Sequence, residues 1–213
     1  MFISLAYTSN CIQATLKAIE LLQGEGHVRP DLDRLAVVGH SVGGVLAPNV
    51  AALARQSGLA SPKAVMSVEP GKTPIPPMED LSLISSDTLL LVVVGDQDGI
   101  PRGDSLRIFN RTTQIPLENK DYITLGSDDH GQPALTADHF APICFTEGGR
   151  IMSGFGTDSL DYYGTWKLFD ALTDAAFYGK NREYALGNTP EQRYMGTWSD
   201  GTPVKEMEVT DTP

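Results

Sequence analysis

Short apolar runs alternate along this chain with amphipathic or alanine-rich ones, and that alternation predicts strands joined by helical crossovers. Strands are predicted at about residues 35 to 39 (LAVVG), 64 to 69 (AVMSVE), 89 to 95 (LLLVVVG) and 122 to 126 (YITLG). Their Val, Leu and Ile content is nearly continuous rather than alternating, which suits parallel strands buried on both faces. Helices are predicted at about residues 10 to 24, 42 to 57, 104 to 111 and 159 to 178, with Asp104 and Ser159 as N-caps and Gly179 as a C-terminal stop. Within the last of these, Trp166, Phe169 and Phe177 recur at near-helical spacing and read as a core-facing stripe. The expected fold class is α/β: a mostly parallel sheet with helices on both faces.

Two stretches break the alternation. GKTPIPPMED, residues 71 to 80, carries three prolines and is expected to be irregular. From about residue 180 the chain turns Gly-, Pro- and Thr-rich and reads as an irregular C-terminal extension, relieved only by VKEMEVT, a candidate late edge strand. Within it, TWSDGTPV at 197 to 204 sets a Trp next to an Asp-Gly turn and suggests no chemistry. A length of 213 residues supplies one hydrophobic core, so residues 1 to 213 are expected to form a single domain.

Composition narrows the function classes. A formal charge of -11 lacks the clustered Lys and Arg that polyanions require, so nucleic acid is not an expected partner. The longest apolar run, LLLVVV at 89 to 94, is too short to cross a bilayer, and no membrane span is expected. The opening MFISLAYTSN lacks the basic residues that start a secretion signal, though such a signal would be missing from a shortened chain too, and the compartment stays open. Cys11 and Cys144 stand far apart with no CxxC or Cys/His cluster, so they read as two isolated buried thiols rather than zinc ligands. Neither a metal nor a cofactor is expected.

The chemistry is concentrated in LAVVGHSVGGVLAPNV, residues 35 to 50, where a buried strand runs into Gly-His-Ser-Val-Gly and an apolar helix follows. A serine hydroxyl is a weak nucleophile unless a base is within hydrogen-bond reach and the hydroxyl stands clear of its own backbone. A tight strand-to-helix turn achieves the second condition by forcing the serine into strained dihedrals, which only small residues two positions either side tolerate. Gly39 and Gly43 occupy those positions around Ser41. The helix that begins near Val42 would aim its N-terminal amides, that of Val42 first, at a developing oxyanion. His40, inside the motif, is expected to point away from the nucleophile and to pack.

GHSVGG after LAVV resembles the nucleophile elbow of the α/β-hydrolase superfamily, whose members place nucleophile, acid and histidine in that chain order. The resemblance implies an acid after a later strand and a histidine after the last. After LLLVVVG comes DQDGIP, which resembles the superfamily's acid loop and makes Asp98 the expected acid, ahead of Asp96 and then Glu69. After YITLG comes SDDHGQPALTADHF, which offers His130 and His139; His130, the nearer to the strand, is the expected base, and His139 the alternative. His27 precedes the elbow.

These residues imply a serine hydrolase for carboxylic esters, with an acyl-enzyme on Ser41, a small-molecule ester as partner, and no long insertion to form a lipase-like lid. Ser rather than Asp at position 41 argues against the branches that attack through a carboxylate. The pattern is also broken: in a full member of the superfamily the elbow follows the fifth strand, and here it arrives at residue 41. The first strands and the loop that brings a second oxyanion donor have no counterpart ahead of it. The chain therefore reads as the C-terminal portion of the fold, with three alternatives open: part of a longer enzyme, a minimal hydrolase, or a non-catalytic module. Without those first strands, the strand at 35 to 39 would form an unpaired apolar edge suited to homodimer pairing.

Overall fold

The computed structural model describes residues 7–24, 26, 28–71, 77–143 and 156–213. Four parallel strands and one antiparallel strand form a single sheet in the order β1-β2-β3-β4-β5, where β1 is Ala36–His40, β2 Ala64–Val68, β3 Leu89–Gly95, β4 Lys120–Leu125 and β5 Glu208–Thr210. The order follows the sequence because each parallel step returns through a crossover on one face or the other. β3, the unbroken apolar run, is buried at every position between β2 and β4.

Successive side chains of a strand point to opposite faces, and each face is covered. Val65, Leu90 and Val92 pack against Ala47 and Ala51 of helix α2 (Val42–Leu53) and Ile108 and Phe109 of helix α3 (Gly103–Arg111). Met66, Leu91 and Val93 pack against Leu168, Ala171 and Leu172 of helix α4 (Lys167–Tyr178) on the other. Helix α1 (Tyr7–Leu22) lies outside α2, where Ile12 closes a small cluster with Val50, Ala54 and Leu59. β1 ends the sheet: among the described residues it pairs only with β2, and Val38 is 46% exposed.

Several expectations are corrected. β4 starts two residues earlier than the apolar pattern suggests, because its first two positions are charged yet satisfied. Lys120 donates to the carbonyls of Phe109 and Thr112, and Asp121 accepts from Gln192 and the Gly187 amide. Asp104 lies inside the first turn of α3, where it pairs with Arg107. Ser159 does not cap; its hydroxyl reaches the Met195 carbonyl, and Asp158 accepts from the Leu160 amide instead. The chain then passes through a π-helical turn, Leu160–Trp166, before α4. With that wider turn, Leu160, Gly164, Leu168 and Leu172 face the core; of the expected aromatic stripe Phe169 packs against that core half-buried, while Trp166 is exposed beside Tyr162. Cys11 is a free, exposed thiol rather than a buried one, and Cys144 lies outside the described residues, as do His27 and residues 72–76. Gly179 ends α4 in the left-handed conformation as expected.

After residue 180 a short helix, α5 (Pro190–Arg193), precedes β5, and Met195, Val204 and Met207 are buried in the α4-side core. Lys167 pins this segment to α4, donating to the carbonyls of Glu191, Gln192 and Tyr194 at 3.0, 2.8 and 2.6 Å.

Candidate active site

The carboxyl ends of the parallel strands converge on one edge, where loops of α/β sheets gather. The ladder runs one residue past each strand: the amides of Ser41, Glu69 and Asp96 donate to the carbonyls of Val68, Val93 and Leu125. Three chemically active side chains are thereby set side by side on a rigid frame.

Ser41 sits between β1 and α2 at φ 58° and ψ -119°, a conformation that L residues avoid at a cost of about 1–3 kcal/mol. Its carbonyl is held by the amides of Gly44 and Gly71. The two flanking glycines are not equivalent. A Cβ on Gly39 would stand 2.0 Å from the Gly43 carbonyl oxygen, whereas one on Gly43 would meet nothing within 4 Å. Close approach of the returning helix, rather than symmetry about the serine, dictates Gly39. Val42 begins α2, so its amide is among those for which the helix itself supplies no acceptor.

The histidine beside Ser41 is His139. Its Nε2 lies 2.9 Å from the Ser41 Oγ, and its Nδ1 lies 3.2 Å from Asp98 Oδ1. Asp98 is held by the Ile100 amide, which donates to the same Oδ1 at 2.8 Å. Asp96 is occupied elsewhere, by Ser127 and Lys205.

His130, the expected base, is not at this site. Asp128 and Leu135 form a two-residue bridge that closes the intervening loop on itself and carries His130 outward. There His130 Nε2 meets Asp200 at 2.8 Å and its ring lies 5.8 Å from that of Trp198, whose indole N–H donates to Asp128. The hydrogen bond that His130 donates to Asp200 raises the His130 pKa and holds the Asp200 carboxyl down at about 2; both groups are exposed. The chain then returns against β3, where the Gln97 amide donates to the Ala137 carbonyl and a Cβ on Gly95 would lie 2.1 Å from that oxygen. This clamp delivers His139 two residues later. The WSDG turn, without evident chemistry in the sequence, thus explains where His130 goes.

Two further groups face the site, Glu69, the third-ranked acid, and His40, which was expected to point away. Glu69, ranked last among the acids, is 1% exposed at φ 44°, with Oε2 3.3 Å from His40 Nε2 and 3.9 Å from His139 Nδ1. Burial raises its pKa, the hydrogen bond from His40 opposes that rise, and the nearby Asp98 charge adds to it. His40 points toward the nucleophile's partner rather than away, with Nε2 2.9 Å from the His139 carbonyl and ring centroids 4.9 Å apart. A charge ending an apolar strand was the available signal for Glu69.

Residues 7–93 match a family model described as alpha/beta hydrolase fold. No curated protein matches the chain. The match and the mostly parallel sheet, with a strained serine between its strand and helix, support an α/β-hydrolase fold for this chain.

Proposed function

We propose that this hydrolase cleaves carboxylic esters through Ser41, His139 and Asp98, by way of an acyl-enzyme. The observation that carries the reading is the 2.9 Å approach of His139 Nε2 to the Oγ of a serine held at positive φ. In the neutral ring, a proton on Nδ1 facing Asp98 leaves the Nε2 lone pair for the serine proton. As Oγ attacks the ester carbonyl, Nε2 takes that proton, and Asp98 stabilises the imidazolium that forms. The carbonyl oxygen becomes an oxyanion, for which the Val42 amide and the positive end of α2 are the available donors. Nε2 then protonates the departing alkoxide, and a water activated by the same nitrogen releases the acid and regenerates Ser41.

Incubation of folded protein with a fluorophosphonate, followed by intact mass and peptide mapping, tests the reading. One adduct per chain at Ser41, with turnover of p-nitrophenyl esters lost in Ser41→Ala, supports it; a folded protein that takes no adduct overturns it.

The end position of β1 favours a second reading, in which the molecule is a catalytically impaired module that dimerises through this edge. A stable monomer in light scattering, together with Ser41-dependent turnover, removes that reading.

A further inference from the structure

Among the described residues, three buried polar atoms at the site make no hydrogen bond of good geometry, both carboxylate oxygens of Glu69 and the Nδ1 of His139, although His40 Nε2 stands 3.3 Å from Glu69 Oε2 and Asp98 Oδ1 stands 3.2 Å from His139 Nδ1. A buried carboxylate left in this state is costly, and native structures rarely keep one without a reason. The Glu69 side chain is 1% exposed, and Oε2 has near it the Nδ1 of His139 and the Nε2 of His40, which also lies 2.9 Å from the His139 carbonyl. One ligand atom from each of the three side chains lies within 4.8 Å of the other two. The His40 nitrogen stands 3.3 Å from Oε2, matching the edge of about 3.3 Å that a tetrahedron with metal-ligand bonds of about 2.0 Å requires, while the His139 nitrogen, at 3.9 Å, would have to move inward to reach the ion.

We propose that His40, Glu69 and His139 bind a borderline divalent transition metal, zinc above all, and that the bound metal inhibits the hydrolase. Two imidazole nitrogens and one carboxylate are a donor set suited to zinc, not to the harder magnesium or calcium. The Cys/His spacing of the sequence gives no hint of it, since the donors come from three separate segments that meet only at the sheet edge. The inhibitory consequence rests on the catalytic reading above. A metal on Nδ1 takes the lone pair created when the ring proton moves to Nε2, so Nε2 then carries a hydrogen and has no lone pair to accept one from Ser41. No covalent chemistry or redox change is involved, and a chelator reverses the effect.

The test uses the 213-residue chain, stripped with a chelator, and titrates Zn²⁺ by calorimetry and Co²⁺ by visible absorption, neither of which needs catalysis. One ion per chain, with the intense visible bands of four-coordinate Co²⁺, is expected. His40→Gln and Glu69→Gln, checked for folding by circular dichroism, should each weaken binding at least about tenfold, and His130→Ala should leave it unchanged. Absence of stoichiometric binding, or binding that survives both His40→Gln and Glu69→Gln, overturns the site. Fluorophosphonate labelling should be blocked by Zn²⁺ over the same concentration range as binding and restored by EDTA. Labelling that proceeds on the zinc-loaded protein overturns the inhibition, whereas a chain that binds zinc yet never labels, even when stripped, counts against the serine-hydrolase reading and leaves the metal site standing.

Discussion

His139 Nε2 lies 2.9 Å from Ser41 Oγ across 98 residues of sequence, while His130, nearer in sequence to the end of β4, is turned away to Asp200. His139→Ala and Ser41→Ala should each lower kcat for an activated ester by roughly 10⁴-fold or more, with little effect on KM. His130→Ala should leave kcat near that of the unmodified protein. Steady-state kinetics on the three variants decide between the two histidines.

Asp98→Asn keeps the shape of the acid while removing the charge that fixes the His139 tautomer. A fall in kcat of about 10⁴-fold is expected, as for the equivalent change in other triads. A variant with full activity would move the acid's role to Glu69.

The raised pKa of Glu69 gives stability a pH dependence of definite sign. Above the ordinary value of 4.5 and below the raised one, the folded protein binds a proton that the unfolded chain has released, so stability falls as pH rises through this window. Glu69→Gln removes the group and should flatten that part of the profile. Thermal melts from acid to neutral pH, run side by side, measure the difference.

The two glycines of the elbow should respond oppositely to one added methyl group. Gly39→Ala forces a carbon against the Gly43 carbonyl at 2.0 Å and should cost on the order of 3 kcal/mol or prevent soluble expression. Gly43→Ala enters open space and should retain the melting temperature to within a few degrees.

Lys167 gives the last prediction. Lys167→Met strips three carbonyls of their shared donor and should lower stability by about 1–3 kcal/mol. Hydrogen exchange should rise chiefly in residues 190 to 213.

Much of this architecture is legible in the sequence because burial writes it there. The run LLLVVV locates β3, Leu89–Gly95, since a strand covered on both faces needs apolar residues throughout and the acids after it mark the turn. The elbow is legible for a related reason: the tight turn at Ser41 leaves no room for a Cβ at position 39, so a glycine stands there. What escaped were features decided by partners distant in sequence. His130 and His139 follow the same strand, and the choice between them depends on the Asp128–Leu135 bridge, the clamp at Gly95 and an aspartate seventy residues further on. The rotation of Trp166 depends on a π-helical turn that leaves no periodic trace, and Lys120 and Asp121 look like loop residues until their buried partners are known.

Ser41 is suspended from β1, and among the described residues β1 is laced to the sheet on one side only. A strand in that position opens more cheaply than β3, which has a neighbour on each side and a core above and below it. Mild warming or dilute denaturant should therefore unseat the serine while the centre of the sheet still holds. Loss of fluorophosphonate reactivity ought to precede loss of the far-ultraviolet signal, so that the molecule goes silent before it melts.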